Sequence, residues 1–339
     1  MQMLMPPLWR KWEALADTDK DLLPLMNCLV AVAQNAGPAF EDFAPSCFQR
    51  SCSIITAQLQ ATATGAPERS EAAIMVALDL ITGLAEGLGA SMDALIAASP
   101  PGGSPHLRLL LVECCRDKCP EIRQSAFALV GDLAKCAVPQ LAAAVPQLLE
   151  LAVKNLEPAM LSQATMSACN NAAWSMGELA IKVSEAEVEP FAVPAVERLV
   201  PILVAQPGQM PRSLQENSAI TIGRIAWICP QPIAPHLAHF IGPWCQALRI
   251  VRDDIEKEHA FLGLCACVRL NADGALGGFP LLCEAITSWR QLACEGLRNE
   301  LSQIMHSFRA KLQASGQWDQ ALASLSPAVR EKLVLLCGL

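Results

Sequence analysis

The sequence is poor in aromatic side chains: tyrosine is absent, and tryptophan and phenylalanine together make up 5% of its 339 residues. Apolar residues nevertheless reach 53%, and most of them are alanine, leucine, valine and isoleucine. Aromatic and β-branched residues are enriched in strands, whereas alanine and leucine are strong helix formers. The composition therefore favours packed helices over sandwiches or barrels.

Blocks of lysine and arginine are also missing, and 33 acidic residues against 25 basic ones give a formal net charge of −8. Nucleic acids and anionic membranes attract basic surfaces, so neither is expected as a partner, and a basic partner is favoured. The most apolar stretches, 72–90 and 130–153, are interrupted by charged residues or proline, so no membrane span is predicted.

Fifteen cysteines are present, but their number is odd and no Cys-x-x-Cys pair occurs. The first residues also lack the basic and apolar segments of a signal peptide. This pattern indicates a reducing compartment in which the thiols act as small core residues.

A chain of this length exceeds the usual limit of one compact core, so it should form two domains, one large fold or a repeat array. Glycines recur in five similar segments, most of which follow the pattern Gly-x-apolar-Ala: Gly83, Gly131, Gly177, Gly223 and Gly263. The first segment is imperfect, because Gly83 is followed directly by Leu-Ala. Successive glycines are 48, 46, 46 and 40 residues apart, which is close to the period of two-helix solenoid repeats.

Each glycine lies in a predicted helix, and a second amphipathic stretch follows each of these helices, at 106–116, 146–156, 193–205, 240–250 and 279–289. Pro120 opens one of the glycine-bearing helices, and 120–126 reads Pro-Glu-apolar-Arg-x-x-Ala, a pattern that resembles the second helix of HEAT repeats. We predict an all-α fold, a HEAT-repeat superhelical solenoid of antiparallel helix pairs stacked in an arch.

The predicted array is single and covers residues 1–339, with about seven to eight helix pairs. The breaker-rich segments 61–71 and 99–105 are expected to be loops within it, because helical patterns resume on both sides. The weaker pattern at the end predicts capping helices in 313–339.

One side of the glycine-bearing helices should face the concave surface of such a solenoid. Counted from the glycine at about 100° per residue, that side holds positions −11, −7, −3 and +1. Trp174 and Ile220 both occupy position −3, in successive repeats, and Met166 lies two turns before Trp174. Apolar residues at these places predict a groove.

Acidic residues lie on or near the same side: Asp79, Glu86, Asp132 and Glu178. Together with Trp174 they describe a site for an apolar residue flanked by lysine or arginine. Two simpler explanations remain open. Trp174 could pack over a neighbouring helix as a core residue, and each acid taken alone could serve only solubility.

The segment Cys169–Glu178, which reads CNNAAWSMGE, is similar to a segment of the transportins. These are karyopherin-β receptors that import cargo carrying a proline-tyrosine nuclear localisation signal. The segments 77–89, 123–133, 216–224 and 243–245 resemble the same family in the same order, so the resemblance covers essentially the whole chain.

The resemblance implies the C-terminal arch of a nuclear import receptor. It assigns the pocket for the upstream hydrophobic or basic part of the signal to Met166, Trp174 and Ile220, with acidic contacts at Asp79, Glu86 and Asp132. We add Asn170 and Asn217, on the same two helices as Trp174 and Ile220, to the candidate cargo-binding residues.

The partners implied by the resemblance are protein cargo with a basic or hydrophobic proline-tyrosine signal, nuclear pore proteins and the Ran GTPase. In that family Ran binds an N-terminal arch, and an acidic loop and the pocket for the proline-tyrosine pair also lie upstream, so all three are expected to be absent here. Shuttling between cytoplasm and nucleus is expected, and no cofactor is.

Two other classes of function remain open. A non-catalytic HEAT scaffold subunit of another protein complex would recognise its partner through the opposite face. An enzyme would need a catalytic constellation, and none is evident: His236 and His239 could form a metal pair but lack a third ligand. Neither a catalytic residue nor a metal site is therefore predicted.

Overall fold

The computed structural model describes residues 3–64, 69–99, 103–206 and 208–339. Within these ranges the regular structure is helical and no strand occurs, so the predicted all-α fold class is confirmed. The chain divides into two compact units: unit 1 comprises Met1–Asn155 and Ala159–Ser175, and unit 2 comprises Leu156–Pro158 and Met176–Leu339. Among the described residues, no helix combines the length and the apolar character needed to cross a membrane.

Unit 1 is built from helices, with 3-10 turns at Gly37–Phe40 and Ala142–Ala144. The helices are α1 (Met5–Ala14), α2 (Leu22–Ala36), α3 (Ala44–Thr64), α4 (Glu71–Leu88), α5 (Ser91–Ala98), α6 (Gly103–Cys115), α7 (Pro120–Cys136), α8 (Val138–Leu141) and α9 (Val145–Asn155). A further 3-10 turn, Pro158–Met160, precedes α10 (Met166–Ala180), which begins in unit 1 and ends in unit 2.

Unit 2 continues in the same manner, with a 3-10 helix at Ala234–His239. Its helices are α11 (Glu185–Leu203), α12 (Arg212–Ile228), α13 (Ile241–Leu248), α14 (Ile255–Leu270), α15 (Ala272–Leu276), α16 (Phe279–Thr287), α17 (Glu295–Ala314), α18 (Trp318–Ala323) and α19 (Pro327–Cys337).

The predicted repeat corresponds to the helices of the structure. The five glycines lie in α4, α7, α10, α12 and α14, and the stretches that follow them lie in α6, α9, α11, α13 and α16. Helix α11 begins eight residues before the predicted stretch, because the Glu187 carboxylate accepts hydrogen bonds from the backbone N–H and the hydroxyl of Ser184, at 2.9 and 2.7 Å. The single array over 1–339 stays a prediction, because contacts divide the chain into two units.

Both predicted loops are longer than those in the structure. Helix α3 continues through Thr64, because the alanines of its last turn are strong helix formers, and residues 65–68 lie outside the described residues. In the second loop, residues 100–102 lie outside the described residues, and α6 already begins at Gly103. Pro105 falls in the first turn of α6. Backbone N–H groups of a first turn have no acceptor within the helix, so a proline there costs no hydrogen bond.

The predicted capping segment 313–339 is also corrected at its start. Residues 313 and 314 belong to α17, which packs against the final helix, so the terminal helices are α18 and α19.

The repeat glycines mark the places where helices of adjacent repeats touch. In unit 2, a Cβ added at Gly223 would lie 2.7 Å from the carbonyl oxygen of Ala260 in α14. A Cβ added at Gly263 would lie 2.9 Å from the backbone nitrogen of Trp227 in α12. Because backbone atoms cannot move aside as flexible side chains do, only glycine allows α12 and α14 to approach so closely.

Unit 2 also buries an ion-pair cluster. Arg224 on α12 is 2% exposed, and its guanidinium nitrogens lie 2.8 Å from Glu178 and 3.2 Å from Glu256. The Glu178 side chain is 5% exposed and that of Glu256 31%. Since a buried carboxylate without a counter-charge is strongly destabilising, Arg224 keeps Glu178 compatible with the core.

We expect Gly263→Ala to lower the free energy of unfolding by about 2 kcal/mol, because the added methyl group would force α12 and α14 apart. Chemical denaturation followed by circular dichroism would measure this change. Gly296→Ala is the matched control: it lies in α17, and a Cβ there comes no closer than 3.9 Å to Cys294 Sγ. The control should be neutral or stabilising by up to about 1 kcal/mol. Equal midpoints for the two variants would contradict the close-packing explanation.

Arg224→Met should lower the free energy of unfolding by about 3 kcal/mol, because it leaves the buried Glu178 carboxylate without its counter-charge. Adding Glu178→Gln to that variant should recover part of the loss. Arg252→Met serves as the control, since Arg252 is 88% exposed beside Asp254 and should contribute less than about 1 kcal/mol. The same denaturation experiment compares all three, and a loss for Arg224→Met as small as that of the control would rule out a stabilising role for the cluster.

Candidate functional site

Trp174 lies on the backbone of α7, within unit 1. A Cβ at Gly131 would stand 2.6 Å from Cε3 and 2.7 Å from Cη2 of the indole, so the ring occupies the space that a side chain at position 131 would fill. The indole is half-buried. Trp174 therefore packs over a neighbouring helix and still presents surface.

An internal cation covers one face of this indole. Nζ of Lys135 lies 4.3 Å from the centroid of the Trp174 ring and 3.2 Å from Oδ1 of Asp132. The Asp132 side chain is 10% exposed, whereas that of Lys135 is 49% exposed. Asp132 and Lys135 are three residues apart on α7, which places them on one side of the helix. The carboxylate of Asp132 is thus paired within the chain.

Met166 and Asn170 extend the Trp174 stripe along α10. They precede Trp174 by eight and four residues, and all three side chains are half-buried. The amide of Asn171 donates a 3.0 Å hydrogen bond to the carbonyl oxygen of Gln124, which attaches this part of α10 to α7. The predicted stripe therefore presents surface in unit 1.

Two predicted acids lie on α4, seven residues and so about 10 Å apart along its axis. Asp79 is half-buried; burial raises the pKa of its carboxyl, and a hydrogen bond from Ser125 on α7 opposes that shift. Glu86 is exposed and accepts a 2.6 Å hydrogen bond from the Gln34 side chain.

These contacts connect three helices of unit 1 into one face. The Asp79–Ser125 hydrogen bond joins α4 to α7, and Asp132 lies two turns beyond Ser125 on the same side of α7. The Trp174 indole then joins α7 to α10 through Gly131. We call this surface, defined by Asp79, Glu86, Asp132, Met166, Asn170 and Trp174, the acidic-aromatic face.

In unit 2 the exposure predicted for Ile220 is wrong. Its side chain is 4% exposed, because it lies one turn before Gly223 and Arg224, on the side of α12 that packs closely against α14. Asn217, one turn earlier, is half-buried. The expected acidic role of Glu178 is corrected as well, since its carboxylate is buried against Arg224.

Two residues lie on the same side of the glycine-bearing helices as the predicted positions but are not among them. Lys135 and Trp227 both follow a repeat glycine by four positions, and four residues advance a helix by about 400°, so they fall in the middle of the stripe. The predicted stripe extends only to position +1, so it omits both residues. Trp227 is 39% exposed and stacks on His259 at 5.0 Å between ring centroids. Burial lowers the pKa of His259, and the charges of Arg224 and Lys182 lower it further.

No metal centre is found among the described residues, where no three His, Cys, Asp or Glu side chains could hold an ion together. His236 and His239 instead line an apolar cavity of about 250 Å³ with Val200, Pro232 and Phe240.

Most of the fifteen cysteines are buried, as expected of thiols that act as small core residues, and Cys28 is exposed. Burial raises the pKa of Cys114 and Cys47 to about 12.

Comparison with known proteins confirms the resemblance. No family model matches the chain. Transportin-1 of Oryza sativa subsp. japonica is 44% identical over 337 residues, covering 98% of this chain and 37% of that protein. Transportin-1 of Homo sapiens is 37% identical over 344 residues, covering 100% of this chain and 36% of that protein.

A crystal structure of the karyopherin Kap121p matches with a TM-score of 0.51 and 17% identity, covering 99% of this chain and 28% of that one. At this identity the likeness shows the fold alone, a karyopherin-type helical repeat. The chain spans little more than a third of the length of the curated relatives it matches. Over its whole length, the chain is a homologue of the transportins.

Proposed function

We propose that the chain is part of a nuclear import receptor and binds the nuclear localisation signal of protein cargo on the face predicted to be concave. The observation that supports this most strongly is the similarity to transportins over the entire chain, at 37–44% identity. We also infer that the chain corresponds to the C-terminal part of such a receptor and shuttles between cytoplasm and nucleus.

The acidic-aromatic face suits a peptide that combines apolar and basic side chains. Trp174 and Met166 offer half-buried apolar surface, and aromatic residues of this kind are frequent anchors in protein interfaces. Asp79 and Glu86 supply carboxylates for lysine or arginine, and Asn170 can hydrogen-bond an extended backbone.

Contacts in unit 2 contribute less to this proposal. Ile220 has little surface to offer at 4% exposure, and Asn217 is half-buried. We therefore assign the main binding energy to residues of unit 1. Both residues of unit 2 remain predicted contacts.

Charge supports the same class of ligand. The net charge of −8 attracts a basic segment, and such attraction raises association rates more than it raises affinity. Kap121p is bound in its crystal structure to the extreme C-terminus of the protein phosphatase Cdc14p, so a protein of this fold can hold a terminal segment of another protein.

Nuclear pore proteins and the Ran GTPase are proposed partners of the longer receptor. We assign no residue of this chain to either of them.

We expect Trp174→Ala to weaken binding of a fluorescent peptide by about 2 kcal/mol without unfolding the chain, because it removes the central apolar surface of the face. The peptide would carry a basic-hydrophobic segment and a proline-tyrosine end, and anisotropy titration would give its affinity. Trp9→Ala is the control, since Trp9 is a half-buried indole outside the face, with its ring 4.8 Å from that of Phe43 between centroids. Unchanged affinity for Trp174→Ala would oppose the proposal.

Binding of the same peptide should weaken as salt rises from about 0.1 M to about 1 M, which shortens the Debye length from about 10 Å to about 3 Å. The double variant Asp79→Asn, Glu86→Gln should bind more weakly at low salt and depend less on salt, because it lacks two of the attracting charges. Titrations at several salt concentrations test this, with Glu150→Gln on α9 as an exposed acidic control. Identical salt dependence of the wild type and the double variant would show that these acids do not contact the peptide.

A further inference from the structure

The cation that covers Trp174 belongs to the protein itself. Lys135 Nζ lies above the indole at 4.3 Å from the centroid and 3.2 Å from Asp132 Oδ1. An aromatic face next to a carboxylate is the arrangement that a lysine or arginine from a ligand would otherwise use. In the free chain, that position is already filled.

The sequence of α7 places the three partners together. Gly131 provides room for the indole, Asp132 follows it directly, and Lys135 lies one turn further on the same side. Its methylene stem can therefore lie along the ring while its ammonium reaches the carboxylate. Lys135 and Asp132 together carry no net charge.

A basic side chain from a ligand would bind weakly at this position. It would have to displace Lys135 from the indole and from Asp132, or lie beside Lys135, where two like charges repel each other. An apolar side chain meets no such repulsion. It can pack on the indole, on Met166 and on the stem of Lys135.

We propose that Lys135 is a specificity-determining residue of the Trp174 site: it fills the cation position, so that the site selects an apolar side chain of the bound segment. Basic side chains of the same segment then bind elsewhere on the face, at Asp79 and Glu86. This inference rests on the proposed function and defines which part of the signal contacts Trp174.

Two fluorescent peptides test the proposal. Both end in the same proline-tyrosine segment, and their upstream segments are of equal length, one rich in leucine and the other rich in lysine. Each is titrated into the full 339-residue chain, into Lys135→Met and into Lys154→Met. Methionine keeps a flexible apolar stem and removes the charge. Lys154 is the matched control: it is an exposed lysine of unit 1 in an i,i+4 pair with Glu150.

The wild type should bind the leucine-rich peptide more tightly. Lys135→Met should strengthen binding of the lysine-rich peptide by about tenfold, because a like charge next to the site is removed, and should change the leucine-rich peptide by less than about threefold. Lys154→Met should leave the ratio of the two affinities as it is in the wild type.

Two other outcomes would overturn the inference, and they differ from each other. If both peptides bind and Lys135→Met leaves their ratio unchanged, Lys135 does not set specificity, while the proposed function stands. If neither peptide binds the wild type or any variant, the proposed function fails, and the inference fails with it.

Discussion

Close approach of helix backbones is the constraint on which the rest of the structure depends. In unit 2 the Gly223 and Gly263 backbones leave no room for a Cβ between α12 and α14. In unit 1 the fit is also tight at Gly83, where a Cβ would lie 3.1 Å from the Val30 carbonyl oxygen in α2. This spacing fixes how each helix is rotated against its neighbour, and so decides which residues near each glycine are covered and which keep their surface.

At Gly131 the absent side chain makes room for a neighbour of a different kind. That neighbour is the Trp174 indole and not a helix backbone. The indole packs on α7 and keeps part of its surface exposed. A supported aromatic ring loses little conformational freedom when a ligand binds, which favours affinity. The repeat that shapes the core therefore also positions the most prominent side chain of the acidic-aromatic face.

The sequence alone was sufficient for the helices and the repeat, because glycine spacing and apolar periodicity depend on local geometry. It was less successful with the site. A helical wheel gives the direction of Ile220 and Glu178 but not their neighbours, and the close packing of α12 with α14 and the pairing with Arg224 bury both. The contact between Lys135 and Trp174 joins residues 39 positions apart in sequence, and no pattern within one helix could show it. The predicted loops were too long, because helix propensity and first-turn proline extended α3 and α6 into them.

The burial of the thiols has a practical consequence for chemistry on this protein. Thiolates are the reactive form, and a pKa near 12 at Cys47 or Cys114 leaves almost none of it at neutral pH. Of the fifteen cysteines, all within the described residues, Cys28 on α2 is the exposed one. A maleimide reagent used briefly and in limiting amount should therefore modify α2 first, and would carry a fluorophore into unit 1 without any engineered cysteine.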